Sequence, residues 1–279
     1  MQQEKKLKKF ANTIRKGVIE GVYNAGCGHP GGALSLSDAL AVLYFEVMNV
    51  DPKNPKWEDR DRFVLSKGHS APGLYAALAE KGFFSDEELK NLRQADSFLQ
   101  GHPDMNKVPG VDMSTGSLGQ GISAAVGMAL IGKTENRTYR VYAALGDGEL
   151  QEGQVWEAFM CAAHYKLDNL TALVDFNGLQ IDGAISNVMS PLPIDDKFKA
   201  FGWNVIVVDG HDCSKILEAL NTAKETKGKP TVVILKTVKG KGVSYMENKA
   251  EWHGAAPNKE LYEKAIDELN ATLNALEEK

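Results

Sequence analysis

The chain has 279 residues, 43% hydrophobic and 25% charged, an ordinary globular composition with room for one large α/β domain or two small ones. Its net charge of −5 argues against non-specific nucleic-acid binding, and no apolar stretch is long enough to span a membrane. Cys27, Cys161 and Cys213 have no paired spacing, which fits neither a disulfide framework nor a zinc site and suits a reducing, cytoplasmic setting.

The lysine-rich start (Lys5, Lys6, Lys8, Lys9) is not followed by an apolar run, so no signal peptide is expected. Leu7, Phe10, Ala11, Ile14, Val18 and Val22 are spaced as one face of a first helix. Residues 26–32, Gly-Cys-Gly-His-Pro-Gly-Gly, break it and put His29 in a loop where backbone can approach a ligand. Ser37-Asp38 is expected to begin a second helix that runs to about Met48. After a polar connection, 62–65 reads as a short strand ending in Ser66-Lys67-Gly68-His69. Helices are expected near 72–80 and 85–94, the second opening on Ser85 and Glu88 with the spacing of a capping box. The longest irregular stretch, 95–116, carries Gly101-His102-Pro103. It runs into Thr115-Gly116-Ser117-Leu118-Gly119-Gln120-Gly121, which opens a helix rich in small residues. A loop of that length in a compact domain is usually functional or disordered.

The centre of the chain follows. Residues 139–145 read as a buried strand that ends in Gly146-Asp147-Gly148. Val155, Trp156, Phe159, Met160 and Ala163 then recur at helical spacing, and a second strand, 170–175, leads into Phe176-Asn177-Gly178-Leu179. This is one β-α-β unit, and both strands end at the same edge of a parallel sheet, where open α/β proteins bind ligands. Gly146 and Gly148 let a ligand approach the backbone, and a helix N-terminus there would favour a phosphate. Asp147 supplies an anionic oxygen and Asn177 a neutral one, a set that suits Mg²⁺ sharing its shell with phosphate oxygens. A lone Gly-Asp-Gly is a common turn; its place between a strand and a helix, with Asn closing the next strand, is what points to a cofactor.

Strands are expected at 203–208 and 231–235, with an amphipathic helix at 214–226 between them. A mostly irregular segment, 236–257, carries Lys239-Gly240-Lys241-Gly242 and Trp252-His253-Gly254, and a terminal helix spans 258–278. Alternating strands and helices without repeat or linker predict a single domain over 1–279, an open, mostly parallel α/β sheet with helices on both faces. His29, His69, His102, His211 and His253 fall in loops or at element ends, whereas His164 reads as structural on a helix face. Imidazole exchanges protons near neutral pH and hydrogen-bonds sugar hydroxyls.

Gly146-Asp147-Gly148 followed by Phe176-Asn177 resembles the thiamine-diphosphate motif, with Phe176 in place of its first Asn. Gly28-His29-Pro30-Gly31, Ser66-Lys67-Gly68-His69, Gly101-His102-Pro103, the 115–121 segment and Trp252-His253-Gly254 resemble transketolase segments, in transketolase order. The resemblance implies a pyrophosphate-binding domain of the thiamine-diphosphate fold. It implies Mg²⁺ (or Ca²⁺ or Mn²⁺ in its place) on Asp147, Asn177 and the carbonyl of Leu179. It implies diphosphate contacts from Gly146, Gly148 and His69, and ring contacts from Gly116 and Leu118. His29, His102 and His253 would face the sugar, and Glu152 resembles the glutamate that couples paired active sites. Ser117 stands where the family has proline.

The activity implied is transfer of a two-carbon ketol unit between sugar phosphates. The family's pyrimidine-binding and C-terminal domains, with the glutamate that activates the cofactor, are not matched. The expectation is a split transketolase whose second subunit carries them, with two copies of each chain and no activity from this chain alone. The alternatives are a pyrophosphate-domain chain of another thiamine enzyme (a ketose synthase or a 2-oxoacid dehydrogenase) and a non-catalytic cofactor-binding subunit.

Overall fold

The computed structural model describes residues 2–278. In chain order the helices and strands are α1 (Gln2–Ala25), α2 (Pro30–Val42), β1 (Arg62–Leu65), α3 (Ala71–Lys81), α4 (Gln120–Thr134), β2 (Val141–Gly146), α5 (Gly153–His164) and β3 (Leu170–Phe176). There follow β4 (Leu179–Gln180), β5 (Gly183–Ala184), α6 (Ile185–Val188), α7 (Ile194–Ala200), β6 (Asn204–Asp209), α8 (Cys213–Glu225), β7 (Thr231–Lys236) and α9 (Lys259–Glu278). Five strands form one sheet in the order β1-β2-β3-β7-β6, and every neighbouring pair is parallel. A separate antiparallel pair, β4 and β5, stands beside it.

Strand side chains alternate between two cores, as the period of two requires. Val141, Ala143 and Leu145 join Val64, Ala172 and Val174 beneath α4, α5 and α7. Tyr142 and Ala144 face the other way, with Phe63, Leu173 and Val233, under α1, α2, α3 and α8. Both faces are covered, so the expected layered α/β architecture is the one found.

Helix α2 lies at the centre of the second core, and all thirteen of its residues are buried. It is mostly apolar, and its polar Ser35, Ser37 and Asp38 are each partnered, as a helix buried on every side requires. It begins at Pro30, seven residues before the expected start at Ser37. Proline at the first helical position loses no hydrogen bond there, and the two glycines after it are set by packing. A Cβ on Gly31 would lie 2.8 Å from the carbonyl oxygen of Trp252, and one on Gly32 would lie 2.9 Å from Ser70 Oγ. The glycines that read as a helix break are thus contact points inside a helix.

Other expectations change as well. The segment expected as a helix at 85–94 is a short 3₁₀ turn, Asp86–Asn91. Ser85 Oγ there accepts from the Glu87 N–H rather than forming a capping box with Glu88. The chain then reverses through Arg93 at φ +63°. The turn after Gly146 is also 3₁₀, Gly148–Gln151, and α5 starts only at Gly153. Finally, the β4–β5 hairpin, α6 and α7 had no counterpart among the expected elements. His164 is exposed at the end of α5, edge-on to Tyr165, rather than packed in a core.

Candidate functional site

β1, β2, β3 and β7 all end at one edge of the sheet, and the segments that leave them build a cavity of about 290 Å³. Lys67 and His69 come from the end of β1, Gly146 to Glu149 from β2, Asn177 and Leu179 from β3, and Lys239 and His253 from beyond β7. Gly32, Leu118, Gln151, Glu152, Gln180 and Ile181 complete the lining. The long loop closes onto the β1 end at Gly68, where a Cβ would meet Thr115 Oγ1 at 2.7 Å and the Gly116 nitrogen at 2.8 Å. Only glycine permits that approach.

Asp147 is 2% exposed. Its Oδ1 accepts from Gly148 N–H at 2.8 Å and its Oδ2 from Gly178 N–H at 2.6 Å. Burial, and then the nearby Asp175 carboxylate, push its pKa up to about 6 against those two donors. Asn177 Oδ1 accepts from Leu179 N–H at 3.1 Å, and its amide nitrogen points at Asp175, 3.4 Å away. The Leu179 carbonyl accepts from Lys239 Nζ at 3.3 Å, so an ammonium sits on the third of the three expected metal-ligating groups. A carboxylate, an amide oxygen and a carbonyl fit a small hard cation that draws its remaining ligands from phosphate and water. Among the described residues no cluster of three or more His, Cys, Asp or Glu could hold a metal.

Two of the backbone N–H groups at the turn expected to bind phosphate are engaged. The Gly148 N–H is taken by Asp147 and the Gly146 N–H by Glu149. Positive charge comes instead from two lysines, Lys67 and Lys239, each 2% exposed. Lys67 Nζ donates to Asp175 and to the Gly32 carbonyl at 2.7 Å. Fully buried Asp175 also accepts from Ser35 Oγ at 2.6 Å and from Thr237 Oγ1. Burial raises its pKa, but Lys67 and the hydroxyl donors outweigh this and hold it low. Lys67 is therefore neutralised by Asp175. Lys239 has no such partner among the described residues, and burial followed by repulsion from Lys67 pulls it down to about 8. A buried cation without a matching carboxylate is costly unless an anion arrives.

Glu149 is a further residue that spacing did not single out. It is 2% exposed and joins three loops, accepting from Ser66 Oγ, from Gly119 N–H at 3.0 Å and from Gly146 N–H at 3.1 Å. Glu152, expected in the site, lines the cavity and is solvent-exposed. The sequence signals for Lys67 and Lys239 were the Ser-Lys-Gly-His and Lys-Gly-Lys-Gly segments. Asp175 and Glu149 had none.

Three of the loop histidines meet. The rings of His69 and His253 are 5.1 Å apart, and His29 lies 5.4 Å from His69 and 5.5 Å from His253. Burial is the largest cause of a lowered pKa in all three. Arg93 and His102 add to it at His29, Lys67 at His69, and Lys239 at His253, which falls to about 3. All three are therefore neutral imidazoles at neutral pH. Lys239 Nζ lies 2.9 Å from His253 Nδ1, and an ammonium can only donate. Nδ1 is thus the acceptor, and the His253 proton is on Nε2. His29 Nδ1 is buried with no partner, a polar atom that a ligand could satisfy. His102 lies outside this trio. Its ring packs on Gly116, whose Cβ would sit 3.2 Å away, and its carbonyl accepts from Tyr75 at 3.0 Å. Leu118 is 37% exposed at the cavity wall. His211 is not in the site; it bonds Asp38 behind α2.

Buried ammonium charge facing oxygen donors across one sheet edge is what a metal-bound diphosphate requires, and this places the molecule among α/β domains that hold a cofactor by its diphosphate. The relatives make that specific. Residues 6–273 match the family described as transketolase, thiamine diphosphate binding domain. The chain is 47% identical over 268 residues to a 6-deoxy-6-sulfo-D-fructose transketolase subunit of Clostridium sp. (strain MSTE9), a match that covers 96% of this chain and 98% of that one. It is 45% identical to one of the subunits of the apulose-4-phosphate transketolase of Phocaeicola vulgatus, covering 94% and 93%. The crystal structure of transketolase from Campylobacter jejuni superposes with a TM-score of 0.89 at 36% identity; 97% of this chain covers 43% of that one. The chain belongs to the transketolase family and carries its thiamine-diphosphate-binding domain.

Proposed function

We propose that this chain is the pyrophosphate-binding subunit of a two-subunit transketolase, which moves a two-carbon ketol unit from a ketose phosphate to an aldose phosphate. The observation that carries this reading is the combination of a diphosphate cavity with a cluster of three neutral histidines beside it. Mere cofactor binding would not need the histidines. Relatives matched over more than nine-tenths of their length, among them the two just described, are named as transketolase subunits, which supports a separate partner.

In this reading Asp147, Asn177 and the Leu179 carbonyl hold Mg²⁺, with Ca²⁺ or Mn²⁺ as substitutes. Gly146, Gly148 and His69 contact the diphosphate, whose charge Lys239 balances. Gly116 and Leu118 pack on the cofactor rings. Thiamine diphosphate, when bound, supplies the electron sink for cleaving and forming the C–C bond. His253 offers its Nε2 proton to a sugar oxygen, because Lys239 fixes the other nitrogen as an acceptor. His29, whose buried Nδ1 has no partner among the described residues, stands against His253, and His102 binds the sugar from the long loop. Glu152 sits at the face toward the partner and couples paired sites. The partner supplies the pyrimidine-binding domain, and two copies of each chain make the working enzyme, in the cytoplasm and in the pentose phosphate pathway.

A second reading concerns the sugar alone. The two relatives just named are described for a sulfonated ketose and for apulose 4-phosphate, so another anionic ketose is the competing donor. The test is to purify the chain with its complementary subunit, then to measure ketol transfer with pentose phosphates, sulfonated ketoses and apulose phosphate. Turnover with the first group establishes the main reading, turnover with only the others establishes the second, and none with any donor refutes both.

A further inference from the structure

His211 lies in the turn between β6 and α8, behind the cavity and outside it. Its Nδ1 is 2.8 Å from Asp38 Oδ2, and its Nε2 is 2.8 Å from the backbone nitrogen of Val238. A backbone N–H can only donate, so Nε2 must be the acceptor. The ring is then neutral, with its proton on Nδ1 and directed at Asp38. The turn itself is fixed by the His211 N–H, which donates to Asp209 Oδ1 at 2.9 Å. Asp38 is 4% exposed on α2 and is also paired with Arg15 of α1.

The two ends of this bridge lead to opposite walls of the site. Asp38 is on the helix whose N-terminus carries His29. Val238 precedes Lys239, which reaches both His253 Nδ1 and the Leu179 carbonyl. After β7 one ladder bond remains, Thr237 N–H on the Phe176 carbonyl at 3.1 Å, and the segment then leaves the sheet. Apart from the His211 bond, its backbone ties to α2 among the described residues reduce to Gly240 N–H on the Gly31 carbonyl at 3.0 Å. We infer that His211 is a positioning residue: a neutral imidazole in one tautomer that fixes Val238-Lys239 to α2, and so sets Lys239 and His253 against His29 and the diphosphate cavity. This rests on the reading of that cavity as the cofactor site.

The tie requires one donor and one acceptor, which a side-chain amide also has and a leucine lacks. The full chain and its His211→Leu, His211→Asn and His211→Gln variants would be compared by amide hydrogen exchange and by calorimetry with thiamine diphosphate and Mg²⁺. His211→Leu should speed exchange in 237–241 at least tenfold while β2 exchanges as before, and should weaken cofactor binding at least tenfold. At least one amide variant should stay within about threefold of the parent in both. Normal cofactor affinity in His211→Leu, with only a lowered melting temperature, overturns the positioning role. So does loss of binding in both amide variants when they are folded. Should His211→Leu not fold, the parent's Val238 amide decides: protection equal to that of β7 supports the tie, and free exchange overturns it. A parent chain that binds no thiamine diphosphate yet shows the exchange pattern refutes the cofactor reading and leaves the tie standing.

Discussion

The duties proposed for Asp147 and for the histidine trio differ, and single substitutions separate them. Asp147 commits its carboxylate to two backbone donors, the Gly148 and Gly178 N–H groups. Asp147→Ala should therefore abolish Mg²⁺-dependent binding of thiamine diphosphate while circular dichroism stays that of the parent; calorimetry with unchanged affinity would remove Asp147 from the site. His29 and His253 meet ring edge to ring face, 5.5 Å apart, beside the cavity. Groups that move protons in a rate-limiting step contribute about 10²–10⁴-fold. His29→Ala and His253→Ala should lose turnover on that scale with cofactor affinity changed little. Turnover within twofold of the parent would reduce them to loop residues.

At the scale of elements, α1, α2 and the turn before α8 are joined by one buried carboxylate. Burial pushes the Asp38 pKa up, but Arg15 and His211 outweigh it and hold it below its ordinary value. A carboxylate with a depressed folded pKa gives stability that is complete above its unfolded value of about 3.9 and is lost as the pH falls through the folded value. Asp38→Asn leaves Arg15 uncompensated, which costs about 3–5 kcal/mol for a buried pair. Its melting temperature should fall well below the parent's at pH 7, and the gap should narrow below about pH 4. A gap that stays constant down to pH 2.5 would show that Asp38 is not ionised in the fold. The same elements show what local pattern conveys. Arg62–Leu65 and Leu170–Phe176 were legible because an apolar run bounded by polar residues is a strand signal. The two-residue strands β4 and β5 are too short to carry a period. The start of α2 was hidden because Gly31 and Gly32 serve contacts with Trp252 and Ser70, both far away in sequence.

For the whole molecule, the cavity opens beside apolar groups that solvent should not see. Leu118 and Ile181 line it and are 37% and 65% exposed, and Met189 is 63% exposed. On α4 and α5, Ile131 is 53% and Met160 61% exposed. Exposed apolar surface near a site marks an interface. Purified by itself, this chain should show no ketol transfer, and activity should appear on adding the complementary subunit, with a mass corresponding to two copies of each. Robust turnover by the isolated chain, with no second polypeptide detectable, would sink the two-subunit reading. What the sequence alone determined was the run of strands and helices, the parallel sheet, the edge where Asp147 and Asn177 meet, and the family, because each depends on residues close together along the chain. The tertiary structure decided which charges cancel. Lys67 meets Asp175 across 108 positions, Glu149 joins loops that begin at Ser66 and Gly119, and Lys239, with no ion-pair partner among the described residues, fixes the His253 tautomer. Ion pairing, burial and proton position depend on distances through space, and no spacing along a chain encodes those.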